Sequence, residues 1–301
     1  MIKRINIYLK EMYPVLPRLL LGFILFFEIY FLVILTANVK GINIGLQEVV
    51  GAITVFTFLM SLRIADEFKD YESDLKLFPE RPYPSGRVKK NDLVVLLTVI
   101  SVITVVLNLA FMNNLIYFAI LVIYGTVMSL WFFSKHKIQK SLPLALITHN
   151  PVQLILNLYI ISFACLKYNL PIFTFNNIII LFTLYFPGLI WEISRKTRAP
   201  KEETEYITYS KIFGYKKPTK FIMLVMALDV ITTSILMYQL YPVAVVTVVV
   251  SYLWFLKQGM DFIKNPNRFK LVDKVIIYEY VTELTVVIVE AIFIIDKFAG
   301  V

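Results

Sequence analysis

Three aspartates recur at four-residue intervals in one acidic segment of the chain. Asp66, Asp70 and Asp74 lie in the sequence DEFKDYESD, which directly follows a long apolar run. On a continuous helix, side chains four residues apart share one face, about 6 Å apart along the axis. Mg²⁺ typically binds one or two carboxylates together with phosphate oxygens of a substrate. The spacing therefore indicates a magnesium and phosphate site, and the alternative is a solvated, charged helix end.

A short segment rich in proline follows the aspartates. It begins at Arg81, ends at Arg87 and reads RPYPSGR, and its two prolines and one glycine predict a defined turn. Guanidinium groups match the geometry of phosphate oxygens, so the two arginines could converge on one anion. The alternative is that both are ordinary basic residues of a cytoplasmic loop.

The composition indicates that the chain carrying these residues is a membrane protein. Of its 301 residues, 58% are hydrophobic and 17% are charged, and the mean hydropathy is +0.73. Soluble domains are usually about 45–50% apolar and about 25% charged. These values exclude disordered and collagen-like chains, and the single cysteine, Cys165, excludes an internal disulfide framework. The sequence therefore predicts a polytopic membrane protein.

The apolar runs predict an all-α bundle of nine transmembrane helices. They lie at residues 17–37, 44–65, 93–112, 115–134, 142–166, 172–192, 220–240, 242–257 and 274–297. The N-terminal tail and the loops that follow even-numbered helices, together with the helix ends that adjoin them, hold 27 of the 30 Lys and Arg residues. Cytoplasmic loops retain basic residues, which predicts a cytoplasmic N-terminus and an outside C-terminus in the cell or cytoplasmic membrane. Topology thus accounts for the net charge of +9, and no nucleic-acid partner is predicted.

Two cytoplasmic loops are much longer than the others. The first cap loop spans residues 66–92 and the second cap loop spans residues 194–219. Each follows an even-numbered predicted helix, and four spans separate them. This spacing predicts one integral membrane domain over residues 1–301, built from two four-helix repeats plus a ninth helix. Any site is expected on the cytoplasmic side, because the outer loops are too short to hold one.

Two sequence elements of the first cap loop resemble the UbiA superfamily of intramembrane prenyltransferases. That family ends its second helix in the pattern Asn-x-x-x-Asp-x-x-x-Asp, and the sequence Arg-Pro-Leu-Pro-Ser-Gly follows. Here Asp66 takes the asparagine position, while Asp70 and Asp74 match the aspartates. The segment RPYPSG at 81–86 matches the second element, and the nine-helix count extends the likeness to essentially the whole chain.

The resemblance implies a helical bundle around a lipid-accessible cavity that the two cap loops cover. It implies Mg²⁺ as the cofactor and an allylic prenyl diphosphate as the donor substrate. The prenyl group would pass to an aromatic or other hydrophobic, lipid-like acceptor, and diphosphate would be released. The partners are then the prenyl diphosphate, the acceptor and the lipid bilayer.

The resemblance also directs attention to the end of the sixth helix and the second cap loop that follows it, where this family carries acids at four-residue spacing. Glu192 takes the place of the first acid, Lys196 occupies the next position, and Glu203 lies beyond a proline. A protonated lysine cannot bind a metal ion. Two interpretations follow. Either the basic cluster around Arg195 and Lys196 replaces one metal ion as counter-charge to diphosphate, or metal-dependent ionisation has been lost.

The resemblance extends to a basic residue after the fourth helix, where the family often places a diphosphate-binding cation. Lys135 stands there, and a lysine that anchors the helix at the membrane surface is the alternative. The implied sets are catalytic Asp66, Asp70, Asp74 and Glu192; metal-binding Asp66, Asp70, Asp74, Glu192 and Glu203; and diphosphate-binding Arg81, Arg87, Lys135, Arg195 and Lys196.

Other polar residues within the predicted spans leave different functions open. Pro151 predicts a kink in the fifth helix, and the neighbouring His149 is a minor candidate for a catalytic base. Carboxylates in membranes usually face a cavity or a partner, and this chain places Glu28, Glu48, Asp229, Glu279, Glu283 and Glu290 there. A terpene cyclase of the same superfamily, or a lipid-binding or transport protein, is therefore the alternative function.

Overall fold

The computed structural model describes the backbone of residues 1–299 and the side chains of residues 1–295, and this part of the chain contains α-helices and no β-strand. Fifteen α-helices follow one another in the described chain. They are α1 (Ile2–Met12), α2 (Val15–Thr36), α3 (Leu46–Lys69), α4 (Tyr71–Leu77), α5 (Lys90–Phe111), α6 (Leu115–Ser129), α7 (Lys135–Ile138), α8 (Leu142–His149), α9 (Val152–Lys167), α10 (Phe175–Thr183), α11 (Phe186–Ser194), α12 (Tyr209–Phe213), α13 (Lys216–Leu240), α14 (Ala244–Lys264) and α15 (Leu271–Ala299).

Helices occupy all nine of the predicted spans, which makes this a multi-pass membrane protein. Six spans in the described chain are both long and apolar enough to cross a bilayer: α2, α3, α5, α8 with α9, α10 with α11, and α13. Helix α6 is shorter, with 15 residues, while α14 and α15 carry several charged residues. The count of nine transmembrane helices is therefore not confirmed and stays a prediction.

Three predicted spans are less regular than the apolar pattern indicates. The fifth is divided between α8 and α9 at Asn150 and Pro151, because proline lacks the N–H that continues a helix. The sixth is divided between α10 and α11 at Leu184 and Tyr185. The fourth ends at Ser129, five residues early, because the aromatic residues that follow adopt positive φ angles.

The chain forms two compact units. The first unit comprises Met1–Glu28 and Ile42–Ile138, and it contains the first cap loop. The second unit comprises Ile29–Gly41 and the chain from Gln139 onward, and it contains the second cap loop.

In the first unit, α3 packs against α5 and places the acidic segment at its own C-terminal end. Two buried hydrogen bonds join the helices: Asn108 Nδ2 donates to Thr54 Oγ1, and Thr104 Oγ1 donates to Thr57 Oγ1, each at 2.8 Å. Polar contacts of this kind hold helices together in membranes. The buried Glu48 accepts a hydrogen bond from the Gly45 backbone N–H at 2.8 Å, which gives this acid a structural role at the start of α3.

The end of the first unit that carries the first cap loop has its own apolar core. Tyr8 and Tyr13 from the N-terminal segment pack there with Ile64 of α3, Val88 of the first cap loop and Leu93 of α5.

In the second unit, α13 packs against α10, α11 and α14, and α14 packs against α15. Each cap loop is therefore flanked by helices that pack against their neighbours, and this packing fixes the positions of the loop's two ends.

Candidate functional site

The helix through the three aspartates is interrupted at the middle one. Helix α3 ends at Lys69, α4 begins at Tyr71, and Asp70 between them has φ −103° and ψ 7°. The three aspartates therefore do not lie on one continuous helix. Nevertheless, the Asp70 N–H donates to the Asp66 carbonyl and the Asp74 N–H donates to the Asp70 carbonyl, each at 2.9 Å. These bonds preserve the spacing of one turn between successive aspartates.

The outer two aspartates are each bound to a cation. Asp66 Oδ1 lies 2.8 Å from Lys69 Nζ, and the Lys69 side chain is only 8% exposed. Asp74 Oδ2 accepts a hydrogen bond of 2.9 Å from Arg81 Nη1, and the Asp74 side chain is 9% exposed. Arg81, the first residue of the proline-rich segment, therefore binds an aspartate of the acidic segment and joins the two sequence elements.

Asp70 differs from its two neighbours because it forms no ion pair with any residue that the structure describes. Burial raises the pKa of Asp70 above its usual value, the charge of Lys69 lowers it, and the charges of Asp66 and Asp74 raise it further. A half-buried carboxylate in this environment would be stabilised by an added cation.

The donor set of this segment suits Mg²⁺, although the carboxylates do not form a closed metal cage. Within the described residues, no three His, Cys, Asp or Glu side chains come close enough together to hold a metal ion. Mg²⁺ needs only one or two carboxylates when phosphate oxygens and waters complete its shell. The unpaired Asp70, with Asp66 and Asp74 one turn away on either side, fits that requirement.

Glu67 is a further carboxylate in this segment that sequence analysis did not single out. Its side chain is 1% exposed, and Arg63 Nη2 lies 2.7 Å from its Oε1. Its Oε2 has no hydrogen-bond partner among the described residues. The four-residue register excludes Glu67, so only its position directly after Asp66 could have drawn attention to it.

The segment from Arg81 to Arg87 forms the defined turn that its prolines predict. The Val88 N–H donates to the Pro82 carbonyl at 2.9 Å, and Gly86 has φ +75°, which favours glycine. The two arginines point to different partners. Arg81 lies 3.9 Å from the centroid of the Phe78 ring and binds Asp74, whereas Arg87 forms a bidentate ion pair with Glu11.

The two arginines therefore do not converge on one anion in this structure. Arg87 is engaged through both Nη atoms, so an anionic ligand would have to displace Glu11 to reach it, whereas Arg81 contacts Asp74 through Nη1 alone. Glu11 belongs to α1, outside the motif, so the sequence contained no local signal for this contact.

Lys135 follows an unusual backbone segment. Trp131, Phe132 and Phe133 have φ angles of 55°, 48° and 56°, in the left-handed region that bulky side chains rarely adopt. Lys135, half-buried, is the first residue of α7 after this turn. The Trp131 ring also lies 4.9 Å from Lys69 Nζ, so the same aromatic segment contacts the lysine that binds Asp66.

In the second unit, Glu192 lies between two cations of its own helix end. Lys196 Nζ is 2.7 Å from Glu192 Oε1, and Arg195 Nε donates to Glu192 Oε2 at 2.7 Å with its Nη2 also in contact. The basic residues of the second cap loop thus surround the carboxylate that the resemblance assigns to a metal ion. The position of Lys196, one turn after Glu192, explains this arrangement.

Glu203 is held by hydroxyl groups. Thr208 Oγ1 donates to both of its carboxylate oxygens at 3.0 and 2.7 Å, and Ser210 Oγ donates to Oε1 at 2.5 Å. Ser210 Oγ also accepts from the Arg198 backbone N–H at 2.8 Å. The chain does fold back after Pro200, but in this structure the carboxylate of Glu203 organises the second cap loop.

Tyr209 is a residue of the second cap loop that sequence analysis missed. Its side chain is buried, and its hydroxyl has no hydrogen-bond partner among the described residues. Burial raises the pKa of Tyr209, and the nearby charge of Glu192 raises it further while Arg195 opposes this. Tyrosine is common in this chain, so composition gave no reason to select this one.

The other polar residues of the predicted spans have varied roles. Nδ1 of His149 lies 3.0 Å from the Ala145 carbonyl oxygen, so this ring contacts its own helix. Tyr278 Oη of α15 donates to Asp229 Oδ2 of α13 at 2.7 Å, which links these two helices. Glu279 and Glu290 each have a buried oxygen without a hydrogen-bond partner in the described chain.

Comparisons with known proteins identify the fold. No protein-family model matches the chain, and no curated protein sequence matches it. A solved structure of a digeranylgeranylglyceryl phosphate synthase in membranes is similar to it, with a TM-score of 0.63 and 17% sequence identity. The similarity covers 96% of this chain and 99% of the other. The two proteins therefore share one membrane-embedded helical fold along almost their entire lengths.

Proposed function

We propose that this protein is an intramembrane prenyltransferase that moves a prenyl group from a prenyl diphosphate to a hydrophobic or aromatic acceptor and releases diphosphate. The observation that carries the proposal is the environment of Asp70. This half-buried carboxylate has no cationic partner among the described residues, lies one turn from Asp66 and Asp74, and precedes an arginine-containing turn.

The shared fold supports the same class of reaction. The similar solved structure is a membrane prenyltransferase, and the likeness extends over nearly all of both chains. Its substrate and acceptor are properties of that protein. The two sequence elements at 66–74 and 81–86 add chemical support, because they resemble those of the UbiA superfamily.

The first cap loop supplies the groups for binding a diphosphate. Asp66, Asp70 and Asp74 would hold Mg²⁺, which, when bound, would neutralise phosphate oxygens and stabilise the departing diphosphate. Arg81 is placed to bind phosphate oxygens directly, and its guanidinium group can make two parallel hydrogen bonds. Arg87 and Lys135 add positive charge in the same unit.

We assign the second cap loop to the same substrate on the strength of the sequence resemblance. Arg195 and Lys196 already bind the carboxylate of Glu192, which demonstrates that they can hold an anion. Glu192 remains a proposed metal ligand, provided that these two cations turn to the substrate. The hydroxyl contacts of Glu203 favour a structural role, so we propose it as an additional metal ligand only after that network opens.

The chemical step follows from this assignment of charges. The bond between the allylic carbon and the diphosphate oxygen breaks, and its electron pair leaves with the diphosphate. Fixed cations such as Arg81 stabilise the negative charge that develops on the leaving group. The acceptor then forms a bond to the allylic cation and loses a proton, which departs with the diphosphate.

The proposal is tested with purified protein in liposomes, a radiolabelled prenyl diphosphate, Mg²⁺ and a panel of aromatic and lipid-like acceptors. Wild type should release diphosphate and incorporate label into a larger lipid-soluble product, and EDTA should abolish both. Asp70→Asn should lower diphosphate release by at least about 100-fold, since metal-assisted charge stabilisation supplies several kcal/mol. Glu72→Gln is the matched control, because it removes an exposed carboxylate of α4 outside the aspartate register.

The products distinguish the proposed reaction from its alternatives. A cyclic hydrocarbon formed without an acceptor would identify a terpene cyclase, which uses the same donor. Equal diphosphate release by wild type and Asp70→Asn would remove the catalytic assignment. Binding of the donor with no release under any condition would favour a lipid-binding protein.

A further inference from the structure

A polar cavity opens in the second unit, and none of the residues assigned to prenyl transfer lines it. Its volume is about 430 Å³, which is within the size range of small-ligand sites. It lies where α14 ends and α15 begins, in the loop after the eighth predicted helix. The cavity is lined by Lys257, Gln258, Asp261, Arg268, Phe269 and Lys274.

The charge of this cavity is strongly unbalanced. Three cations, Lys257, Arg268 and Lys274, line it together with a single carboxylate, Asp261. Among the described residues, none of these four side chains forms an ion pair. By contrast, Arg81, Arg87, Arg195 and Lys196 in the cap loops all bind carboxylates. The lining therefore carries a formal net charge of +2, three cations less one carboxylate, and its cations form no ion pair within the described chain.

The types of the lining residues favour a phosphoryl group. Arg268 can bind two phosphate oxygens at once, and the lysines add compact charges. The half-buried Phe269 provides an apolar wall next to them, and its ring centroid lies 5.4 Å from Lys274 Nζ. A ligand that combines a phosphate with apolar groups would match both parts of this lining.

The location of the cavity matches the same ligand. The loop between α14 and α15 is predicted to be cytoplasmic, and basic pockets between membrane helices on that side bind anionic lipid headgroups. The 3₁₀ turn Pro266–Arg268 also packs against the 3₁₀ turn Pro200–Glu202 of the second cap loop. A ligand on Arg268 would therefore hold a segment that contacts this loop.

We propose that this cavity is a binding site for a phosphoryl group, carried either by an anionic phospholipid headgroup or by free phosphate. The site shares no residue with the proposed prenyl diphosphate site, and the inference does not depend on prenyl transfer. Its lining offers cations to an anion and offers no acidic cluster to a metal ion. Lipid and free phosphate would use the same cations, so the experiment separates them.

The experiment measures lipid binding to delipidated, full-length protein in a neutral detergent by native mass spectrometry. Phosphatidylglycerol is compared with phosphatidylcholine, and inorganic phosphate is compared with chloride at equal ionic strength by thermal unfolding. The cavity variant is Arg268→Gln with Lys274→Gln. The matched control is Lys264→Gln with Lys270→Gln, which removes two exposed charges of the same region that do not line the cavity.

We expect wild type and control to prefer phosphatidylglycerol, and the cavity variant to bind it about 30-fold more weakly, because two cations near an anionic headgroup are lost. A thermal shift caused by inorganic phosphate alone, and lost in the cavity variant, would identify free phosphate as the ligand. Absence of both effects, or equal losses in cavity variant and control, would overturn the site. Should the double variant not fold, Lys257→Gln is judged by the same criteria.

Discussion

Arg87 and Glu11 form a bidentate ion pair that joins α1 to the first cap loop. Arg87 Nη1 donates to Glu11 Oε1 at 2.6 Å, and Nη2 donates to Oε2 at 2.9 Å. The same Nη2 donates to the Glu80 carbonyl at 2.6 Å, so the guanidinium group is fully engaged. Arg87 holds the pKa of Glu11 below its usual value. Glu11 thus occupies the donors of Arg87 that the proposed function assigns to diphosphate.

Glu11→Gln is expected to increase the affinity for the donor substrate. The neutral amide binds Arg87 more weakly, so the substrate no longer has to displace a carboxylate. The apparent KM for prenyl diphosphate should fall by about threefold, in line with the modest strength of exposed ion pairs. Steady-state kinetics in liposomes measures this value.

Glu80→Gln serves as the control, because it removes a nearby exposed carboxylate whose side chain does not contact Arg87. Arg87→Gln should raise KM in the same assay. Unchanged KM values in both Glu11→Gln and Arg87→Gln would assign this pair solely to the attachment of α1.

Glu203→Ala is expected to destabilise the second cap loop. The substitution leaves the buried hydroxyl of Thr208 and that of Ser210 without their shared acceptor. Hydrogen bonds to a charged group usually stabilise a protein, and this loss should lower the free energy of unfolding by about 1–2 kcal/mol. Thermal unfolding and limited proteolysis of residues 194–219 would detect it.

Glu205→Ala is the matched control, since Glu205 is exposed and lies two residues away. If Glu203→Ala instead retained full stability and lost Mg²⁺-dependent activity, Glu203 would be a metal ligand, as the sequence resemblance implies.

Gly51→Ala should destabilise the first unit through steric conflict. A Cβ atom at position 51 would lie 2.2 Å from Cε2 of Phe26, a buried ring of α2. Overpacking of this kind costs about 1–3 kcal/mol. Gly188→Ala should change stability by less than about 1 kcal/mol, because no atom lies within 4 Å of its added Cβ. Similar unfolding temperatures for the two variants would contradict the close packing of α2 on α3.

The sequence predicted those parts of the structure that follow from local patterns. Apolar runs placed the nine helical segments, and Pro151 placed the break between α8 and α9. The proline-rich turn was predicted correctly, since prolines and Gly86 restrict the backbone directly. These features depend on residues close in the chain, which is why a single sequence revealed them.

The parts that the sequence did not predict depend on contacts between distant residues. Glu11 lies 76 positions before Arg87, so no motif could show that the pair forms. The interruption at Asp70 and the positive φ angles from Trp131 onward are backbone features that the apolar pattern does not encode. Glu203 is a candidate metal ligand only through a chain that folds back after Pro200, and no local pattern showed that Thr208 and Ser210 would donate hydrogen bonds to its carboxylate.

Tyr209→Phe should separate catalytic loss from structural loss in the second cap loop. The Tyr209 hydroxyl is buried and lacks a hydrogen-bond partner among the described residues, so its removal should not lower the unfolding temperature. The nearby Glu192, Arg195 and Lys196 are the residues assigned to the substrate, and a phenol beside them can donate to a phosphate oxygen. We therefore expect kcat/KM to fall by about tenfold, the effect of losing one hydrogen bond to a charged group. Tyr206→Phe, a half-buried tyrosine of the same loop, should leave kcat/KM unchanged. Unchanged kcat/KM together with a raised unfolding temperature in Tyr209→Phe would show that this hydroxyl is an unused buried polar group.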